Sequence, residues 1–228
     1  MTGWELQQTT VTVTSAEGSE PARRALNLTV AGLGLLLTAP VMLVIAALIK
    51  LTSRGPVLYT QTRVGVDRRL ERDGPTNHRR TTDQGGKPFT IYKFRTMYVA
   101  NAAVPEVWAT QDDPRVTPVG RILRKYRLDE LPQFLNVLRG DMNVVGPRPE
   151  QPRIFARLRD EVPGYQIRQR VPPGITGWAQ VNQRYDTSID DVRRKVSFDL
   201  EYVARKSVLE DLRILARTVP VVLNKGGW

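Results

Sequence analysis

Two adjacent carboxylates, Asp129 and Glu130, open the stretch Arg127-Leu128-Asp129-Glu130-Leu131-Pro132-Gln133-Phe134-Leu135-Asn136-Val137-Leu138-Arg139-Gly140-Asp141-Met142. With Asp129 as N-cap and Pro132 in the first turn, where a missing N–H costs nothing, the pair crowds a predicted helix N-terminus. The partial positive charge there keeps a carboxylate ionised, and the same free N–H groups attract phosphate. A carboxylate nucleophile and an anionic substrate would meet at one point. An Asp-Glu pair before a helix is by itself only a cap and a first-turn acid. Its company argues for more: Arg124, Arg127 and Arg148 gather around it, beside the rigid turn Gly146-Pro147-Arg148-Pro149. Together they make a phosphate site.

The element that must carry the pair is a short helix. Leu131, Leu135 and Leu138 fall at i, i+4 and i+7 with Phe134 beside them, giving one apolar face, and Gly140 ends the run. A basic helix over Arg121–Tyr126 leads into it, with Ile122, Leu123 and Tyr126 as its apolar side.

Composition removes several chemistries. The 228 residues contain no cysteine and one histidine, His78, so disulfides, thiolate catalysis and His-cluster or Cys-ligated metal sites are excluded. Catalysis must rest on carboxylates and cations. A formal charge of +11 and a pI of about 10.3 suit nucleic acid, an anionic membrane surface or a phosphorylated substrate. Few aromatics interleave with the basic residues, and no helix-turn-helix, RNP or zinc-finger pattern appears, which argues against nucleic acid.

The membrane reading gains from Ala25 to Ile49, 25 residues without a charge. Fully helical they would span about 37 Å, against a hydrocarbon core of about 30 Å. Arg23 and Arg24 precede the run while Lys50 and Arg54 follow it. The positive-inside rule is therefore satisfied when both ends are cytoplasmic. Pro40 lies near the centre and removes a backbone donor, favouring a kink at which the chain turns back, with Thr38 available to a freed carbonyl. Length alone would favour an ordinary single transmembrane helix, whereas the basic flanks and Pro40 favour a helix broken at Pro40 over residues 23–54, following a flexible tail over 1–22.

Downstream, Val57 and Tyr59 alternate with Leu58 and Thr60, and Phe89, Ile91 and Lys93 alternate over Pro88–Met97, predicting two strands paired as a hairpin. That pairing would draw Arg63, Lys93 and Arg95 together. Residues 66–86 read as a polar surface loop, and Asp112-Asp113 before Pro114 as a turn rather than a magnesium site. An amphipathic helix follows within 150–170 on Ile154, Leu158 and Val162. Two more run from Ile189 to Ala204 and from Val208 to Leu223, the last packing through Leu209, Leu212, Leu215 and Val219. Trp178 stands in a glycine-flexed loop, against the bilayer interface or against a base.

Five collinear blocks resemble the bacterial sugar transferases, the polyprenyl-phosphate phosphoglycosyl transferases. These are Gly55-Pro56-Val57-Leu58-Tyr59-Thr60-Gln61-Thr62-Arg63-Val64-Gly65, Lys93-Phe94-Arg95-Thr96-Met97, Asp113-Pro114-Arg115-Val116-Thr117, the central stretch with its Gly-Pro-Arg-Pro turn, and Pro173-Gly174-Ile175-Thr176-Gly177-Trp178-Ala179-Gln180-Val181-Asn182. The resemblance covers about residues 23 to 215. It departs where Ala39-Pro40 replaces Ser-Pro, where Asn27 replaces an acid, where Gln183 replaces a glycine and Val192 a tryptophan, and in the length of 66–86.

The resemblance implies transfer of a sugar-1-phosphate from a UDP-sugar to undecaprenyl phosphate, with release of UMP, through a covalent phosphosugar on Asp129. It also implies a re-entrant membrane helix among phospholipids at the cytoplasmic face of the bacterial inner membrane. The residues suit that chemistry. A carboxylate nearing a diphosphate meets repulsion of about 1 kcal/mol at 4 Å in water and about 4 at an effective dielectric of 20. Mg2+ on Asp129 and Glu130 is the family's answer, with Arg63, Lys93, Arg95, Arg124 and Arg148 binding phosphate. The expected architecture is α+β: a compact, mostly helical catalytic domain over 55–228 with a short β-hairpin, attached to the re-entrant helix. The oligomeric state stays open, a dimer included. The alternative is a non-catalytic, basic, membrane-anchored interaction protein.

Overall fold

The computed structural model describes residues 19–67, 85–99, 113–183 and 188–223. The order of elements is α1 (Ser19–Thr52), β1 (Leu58–Val64), β2 (Pro88–Phe94), α2 (Pro118–Lys125), a 3-10 helix (Leu128–Gln133), α3 (Phe134–Arg139), β3 (Asn143–Val145), α4 (Pro152–Glu161), a second 3-10 helix (Tyr165–Arg170), β4 (Gly174–Thr176), α5 (Trp178–Asn182), α6 (Ile189–Arg205) and α7 (Val208–Leu223). The fold is helix-rich with a small antiparallel sheet and an apolar N-terminal helix. Most of the 66–86 loop, Asp112 and most of the N-terminal tail lie outside the described residues. Residues 19–22, expected in that tail, already belong to α1.

α1 is one uninterrupted helix with Pro40 inside it. The expected break into two helices is absent, and at 34 residues α1 is about 51 Å long. Thr38 donates to the Gly34 carbonyl at 2.6 Å rather than to Leu36, whose partner Pro40 removes. One face of α1 packs along the globular unit at helical spacing. Val30 and Ala31 meet Phe89, Ile91, Val137 and Met142, while Met42, Ile45 and Ile49 meet Phe94 and Leu123. The opposite face, with Leu36, Leu37, Leu43 and Leu51, is exposed.

Both ends of α1 are tied to the same unit. At one end the fully buried Arg23 pairs with Asp211 at 2.9 Å and donates to Tyr202 at 2.6 Å. Asn27, in place of an acid, accepts from the Val144 amide and donates to the Arg23 carbonyl, stapling α1 to β3. At the other end Arg95 donates to the Ser53 carbonyl and hydroxyl, both at 2.9 Å, and to the Arg54 carbonyl. A cation is stabilised there by the orphan carbonyls and negative dipole of a helix C-terminus.

The hairpin forms as expected, antiparallel, but its register sets Tyr59 opposite Lys93 and Arg63 opposite Phe89, so the pairing does not itself draw Arg63 to Lys93 and Arg95. The two-stranded parallel ladder of β3 and β4, pairing Asn143 with Gly174 and Val145 with Thr176, has no sequence signature. Gly146 and Gly174 make it possible, since a Cβ on either would strike the backbone of the facing strand. α4 is shorter than the predicted helix because Gly164, at φ 75°, turns the chain into the second 3-10 helix. Ile154, Leu158 and Val162 nevertheless fill one core with Phe155, Tyr165, Val192 and Val196.

Two predicted packing faces are corrected. α7 buries Glu210, Asp211 and Ile214; of its four expected packing residues Leu215 meets the core, while Leu209, Leu212 and Val219 are exposed. α3 buries Asn136 and Val137 and leaves Leu135 and Leu138 half-exposed, while Leu131 and Phe134 of the expected face do pack against the core. In each case a polar residue wins the interior because it finds partners there: Asp211 meets Arg23, and Asn136 joins the Tyr92 amide, the Thr90 carbonyl and Asp141. In α2 only Leu123 of the three expected apolar residues is buried, Ile122 and Tyr126 being exposed.

Candidate active site

The acid pair does not begin an α-helix. Arg127 occupies the capping position in the left-handed region, φ 55°, and Leu128–Gln133 wind as a 3-10 helix before α3 starts at Phe134. Asp129 is therefore a first-turn residue, and the expected N-cap role is corrected. A non-glycine residue at such φ costs about 1–3 kcal/mol and persists only where its surroundings impose it. Here it swings the acid pair inward. Gly140, at φ 82°, ends α3 as expected.

Three residues per 3-10 turn set Asp129 and Glu130 about 120° apart, and the two find different company. Glu130 accepts from Arg148 Nη2 at 2.6 Å and from Lys93 Nζ at 2.8 Å. Burial pushes its carboxyl up, but Arg148 and Lys93 outweigh that and hold it well below the ordinary range. Asp129 is equally buried, at 8 % exposure, yet makes no hydrogen bond or ion pair among the described residues. Burial pushes its carboxyl up, the charge of Glu130 adds to that, and Lys93, Arg124 and Arg148 act against it. One carboxylate is held by two cations through a single oxygen, Oε1, and its neighbour is uncommitted among the described residues in a cationic setting.

The cations sort into two groups. Lys93 and Arg148 touch Glu130 directly. Arg124 donates to Thr96 Oγ1 at 2.9 Å and lies within electrostatic reach of Asp129. Arg63 donates to the Pro149 carbonyl at 3.2 Å and sits beside Arg148 and Glu150. Arg95 is set apart: its guanidinium donates to Ser53 and Arg54 at the end of α1 rather than to the acid pair.

Further residues build the site without having been singled out as members of it. Gln180 accepts from Arg148 Nη1 at 3.1 Å, so Arg148 bridges Glu130 and α5. Arg168, fully buried, pairs with Asp199 at 2.7 Å and donates to the Arg148 carbonyl at 3.1 Å. Gly174 N donates to the Pro147 carbonyl and Gly146 N to the Thr176 carbonyl, both at 2.9 Å, pinning the Gly-Pro-Arg-Pro turn to β4. Gln180 lies in a block that the sequence had marked; Arg168 carried no signal apart from its position before that block. Asp113 shapes a turn, binding Arg115 through backbone and side chain, which holds its carboxyl at about 2. Trp178 begins α5 rather than standing in a loop; its indole donates to Glu201 at 2.6 Å, and the Arg205 and Arg217 guanidinium groups lie over its ring.

No group of three or more His, Cys, Asp or Glu side chains gathers among the described residues. A divalent cation here would rely on Asp129, Glu130 and oxygens from a substrate. That donor set fits Mg2+, which is commonly held by one or two carboxylates plus phosphate, and the free Asp129 carboxylate leaves a position for it.

A buried carboxylate pair ringed by Lys93, Arg124 and Arg148, beside a long helix with an exposed apolar face, defines a class: an anion-handling carboxylate site built next to an apolar surface. Comparison with known proteins makes this specific. The chain belongs to the bacterial sugar transferase family, whose profile matches residues 18–225. It is 44 % identical, over 86 % of its length, to a UDP-glucose:undecaprenyl-phosphate glucose-1-phosphate transferase of Escherichia coli (strain K12), covering 39 % of that protein. It is 40 % identical to a UDP-N-acetylgalactosamine-undecaprenyl-phosphate N-acetylgalactosaminephosphotransferase of Aeromonas hydrophila, over 90 % of this chain and 44 % of that one. The exopolysaccharide production protein ExoY of Sinorhizobium fredii (strain NBRC 101917 / NGR234) is 35 % identical, with 91 % and 88 % covered. The chain thus spans about two fifths of the first two relatives.

Proposed function

We propose that this chain is a phosphoglycosyl transferase that moves a sugar-1-phosphate from a UDP-sugar to undecaprenyl phosphate, releasing UMP and forming undecaprenyl-diphosphate-sugar for polysaccharide or glycoconjugate synthesis. The observation that carries this reading is the asymmetry of the acid pair: Arg148 and Lys93 both hold Glu130 through its Oε1, whereas Asp129, buried among cations, is uncommitted among the described residues.

In the first step a carboxylate oxygen of Asp129 attacks the phosphorus that bears the sugar. A P–O bond to that oxygen forms, the P–O bond to UMP breaks, and UMP leaves with its bonding electrons. In the second step a phosphate oxygen of the acceptor attacks the same phosphorus and the aspartyl–phosphorus bond breaks, restoring the carboxylate. Arg148 and Lys93, oriented by Glu130, offset the charge of the diphosphate. Arg124 does so from the side of Asp129. Mg2+ held by Asp129 and Glu130 would supply further charge neutralisation of the phosphates.

The acceptor resides in a bilayer, so the site must lie at its surface. Both ends of α1 are tied to one globular unit, and basic residues flank both ends. These features support a helix that enters the cytoplasmic leaflet of the inner membrane without crossing it, among phospholipids, with residues 55–228 on the cytoplasmic side. The test is a UMP-release screen of the purified chain across UDP-sugars with undecaprenyl phosphate, with and without EDTA. Release for at least one sugar, abolished by EDTA and restored by Mg2+, is expected. No release with any UDP-sugar would favour a non-catalytic anchor, and release undiminished by EDTA would remove the metal.

A further inference from the structure

A cavity of about 90 Å³ opens beside the acid pair, between the first 3-10 helix, β4, α5 and α7. Its walls are mostly apolar, from Leu131, Phe134, Ile175, Val181, Val221 and Val222, with Arg127, Glu130, Gln180 and two threonines as the polar part of the lining. The mechanism above uses none of these apolar side chains. We infer that this slot seats the phosphate-proximal isoprene unit of the polyprenyl phosphate acceptor; the inference rests on the transferase reading and adds to it where the acceptor lies.

Size and lining select the occupant. An enclosed apolar cavity of about 150 Å³ takes a benzene ring, so an open slot of this volume suits a branched unit of about five carbons. A uracil would bring amide groups that need hydrogen-bond partners. The two hydroxyls of the lining, on Thr176 and Thr218, are committed to each other at 2.8 Å, with Thr218 donating on to the Ile214 carbonyl, and Gln180 accepts from Arg148, which leaves the buried Gln180 Nε2 as one donor for the two carbonyls and the N–H that a uracil would bring. The charge pattern agrees, because a lipid phosphate attached to that unit would emerge next to Arg127 and the cations around Glu130. The route outward agrees too. Phe134 forms one wall and its ring lies against the backbone of α1 at Gly34, where an added Cβ would sit 2.8 Å from it. A chain leaving the slot therefore passes from Phe134 onto α1, beside the exposed Leu33 and Leu37.

A residue larger than glycine at position 34 would press on the Phe134 ring and so disturb that wall. Replacing a snug apolar subsite by a filled one should cost the acceptor about tenfold or more in KM, as losing a well-fitted methylene or two does elsewhere.

The experiment uses the full chain in detergent and an undecaprenyl phosphate analogue carrying a diazirine on its phosphate-proximal isoprene unit. Photolabel is expected on peptides containing Ile175–Val181, Leu131–Phe134 or Val221–Val222, and label confined to β1, β2 or α1 would overturn the slot. In steady state, Val181→Phe should raise the acceptor KM by about tenfold and leave the UDP-sugar KM within about twofold, with Val181→Ile intermediate. A raised UDP-sugar KM with an unchanged acceptor KM would assign the slot to the nucleotide instead. Should Val181→Phe fail to fold, Val181→Ile and the wild-type photolabel decide. The two readings fail separately: correct labelling without transfer from any UDP-sugar sinks the transferase, whereas transfer with labelling elsewhere sinks only the slot.

Discussion

Arg168 Nη2 donates to the backbone carbonyl of Arg148 at 3.1 Å, so a fully buried cation fixes the chain that presents a half-exposed one to the acid pair. Arg168 is itself oriented by Asp199 and by the Tyr165 hydroxyl, which accepts from its Nη1 at 2.8 Å. Arg168→Lys keeps the charge opposite Asp199 and loses these two bonds. Hydrogen bonds made by a charged group contribute about 1.5–3 kcal/mol each, so a lower thermal midpoint and a kcat reduced about tenfold are expected. An unchanged kcat in a folded Arg168→Lys protein would show that the Arg148 turn holds without it.

Arg148 spans Glu130 and Gln180 through separate nitrogens. A lysine ammonium cannot reproduce that fork. Arg148→Lys should lower kcat/KM about tenfold to a hundredfold, the loss of one to two charge-assisted bonds, with little change in stability because the residue is half-exposed. Near-normal kinetics would remove Arg148 from the reaction.

Asp129 has no partner to lose among the described residues. Asp129→Asn should therefore keep the thermal midpoint or raise it, while abolishing UMP release. Wild-type protein given a UDP-sugar alone should gain the mass of a sugar phosphate and release UMP without acceptor. Adduct formation by Asp129→Asn, or UMP release only after undecaprenyl phosphate is added, would rule out the aspartyl intermediate.

Arg23 and Arg95 tie opposite ends of α1 to one globular unit. Cysteines introduced singly at Glu20 and Leu51 should both be protected from an impermeant thiol reagent added outside intact cells. Labelling at one position alone would mean that α1 crosses the bilayer.

Glu150 sets an acid limit on stability. Burial pushes its carboxyl up, but Lys195, Arg168 and Arg63 outweigh it and hold it at about 2, below the ordinary 4.5. A depressed carboxyl contributes stability that is fully present above pH 4.5 and is lost as pH falls toward 2. The full contribution is about 3 kcal/mol, at 1.36 kcal/mol per unit. Thermal midpoints in detergent should hold from pH 7 to 5 and fall below it, and Glu150→Gln should start lower and show a flatter acid limb. Parallel acid limbs in the two proteins would assign the loss to other groups.

From its sequence alone the chain declared its apolar N-terminal helix, its hairpin, the acid pair and most of the cations beside it. Those features rest on local order: an uncharged run of 25 residues, a period of two, and charges close in sequence. Tertiary structure alone decided which carboxylate is engaged, because Lys93 and Arg148 reach Glu130 from β2 and from a turn held by β4. It also drew Arg95 to the carbonyl end of α1, two residues beyond Lys93, where unpaired acceptors attract a cation. The inner faces of α3 and α7 were misread for one physical reason. Periodicity locates the core only where apolar residues are the ones buried, and in this chain Asn136 and Asp211 are satisfied inside while leucines on α1, α3 and α7 remain on the surface.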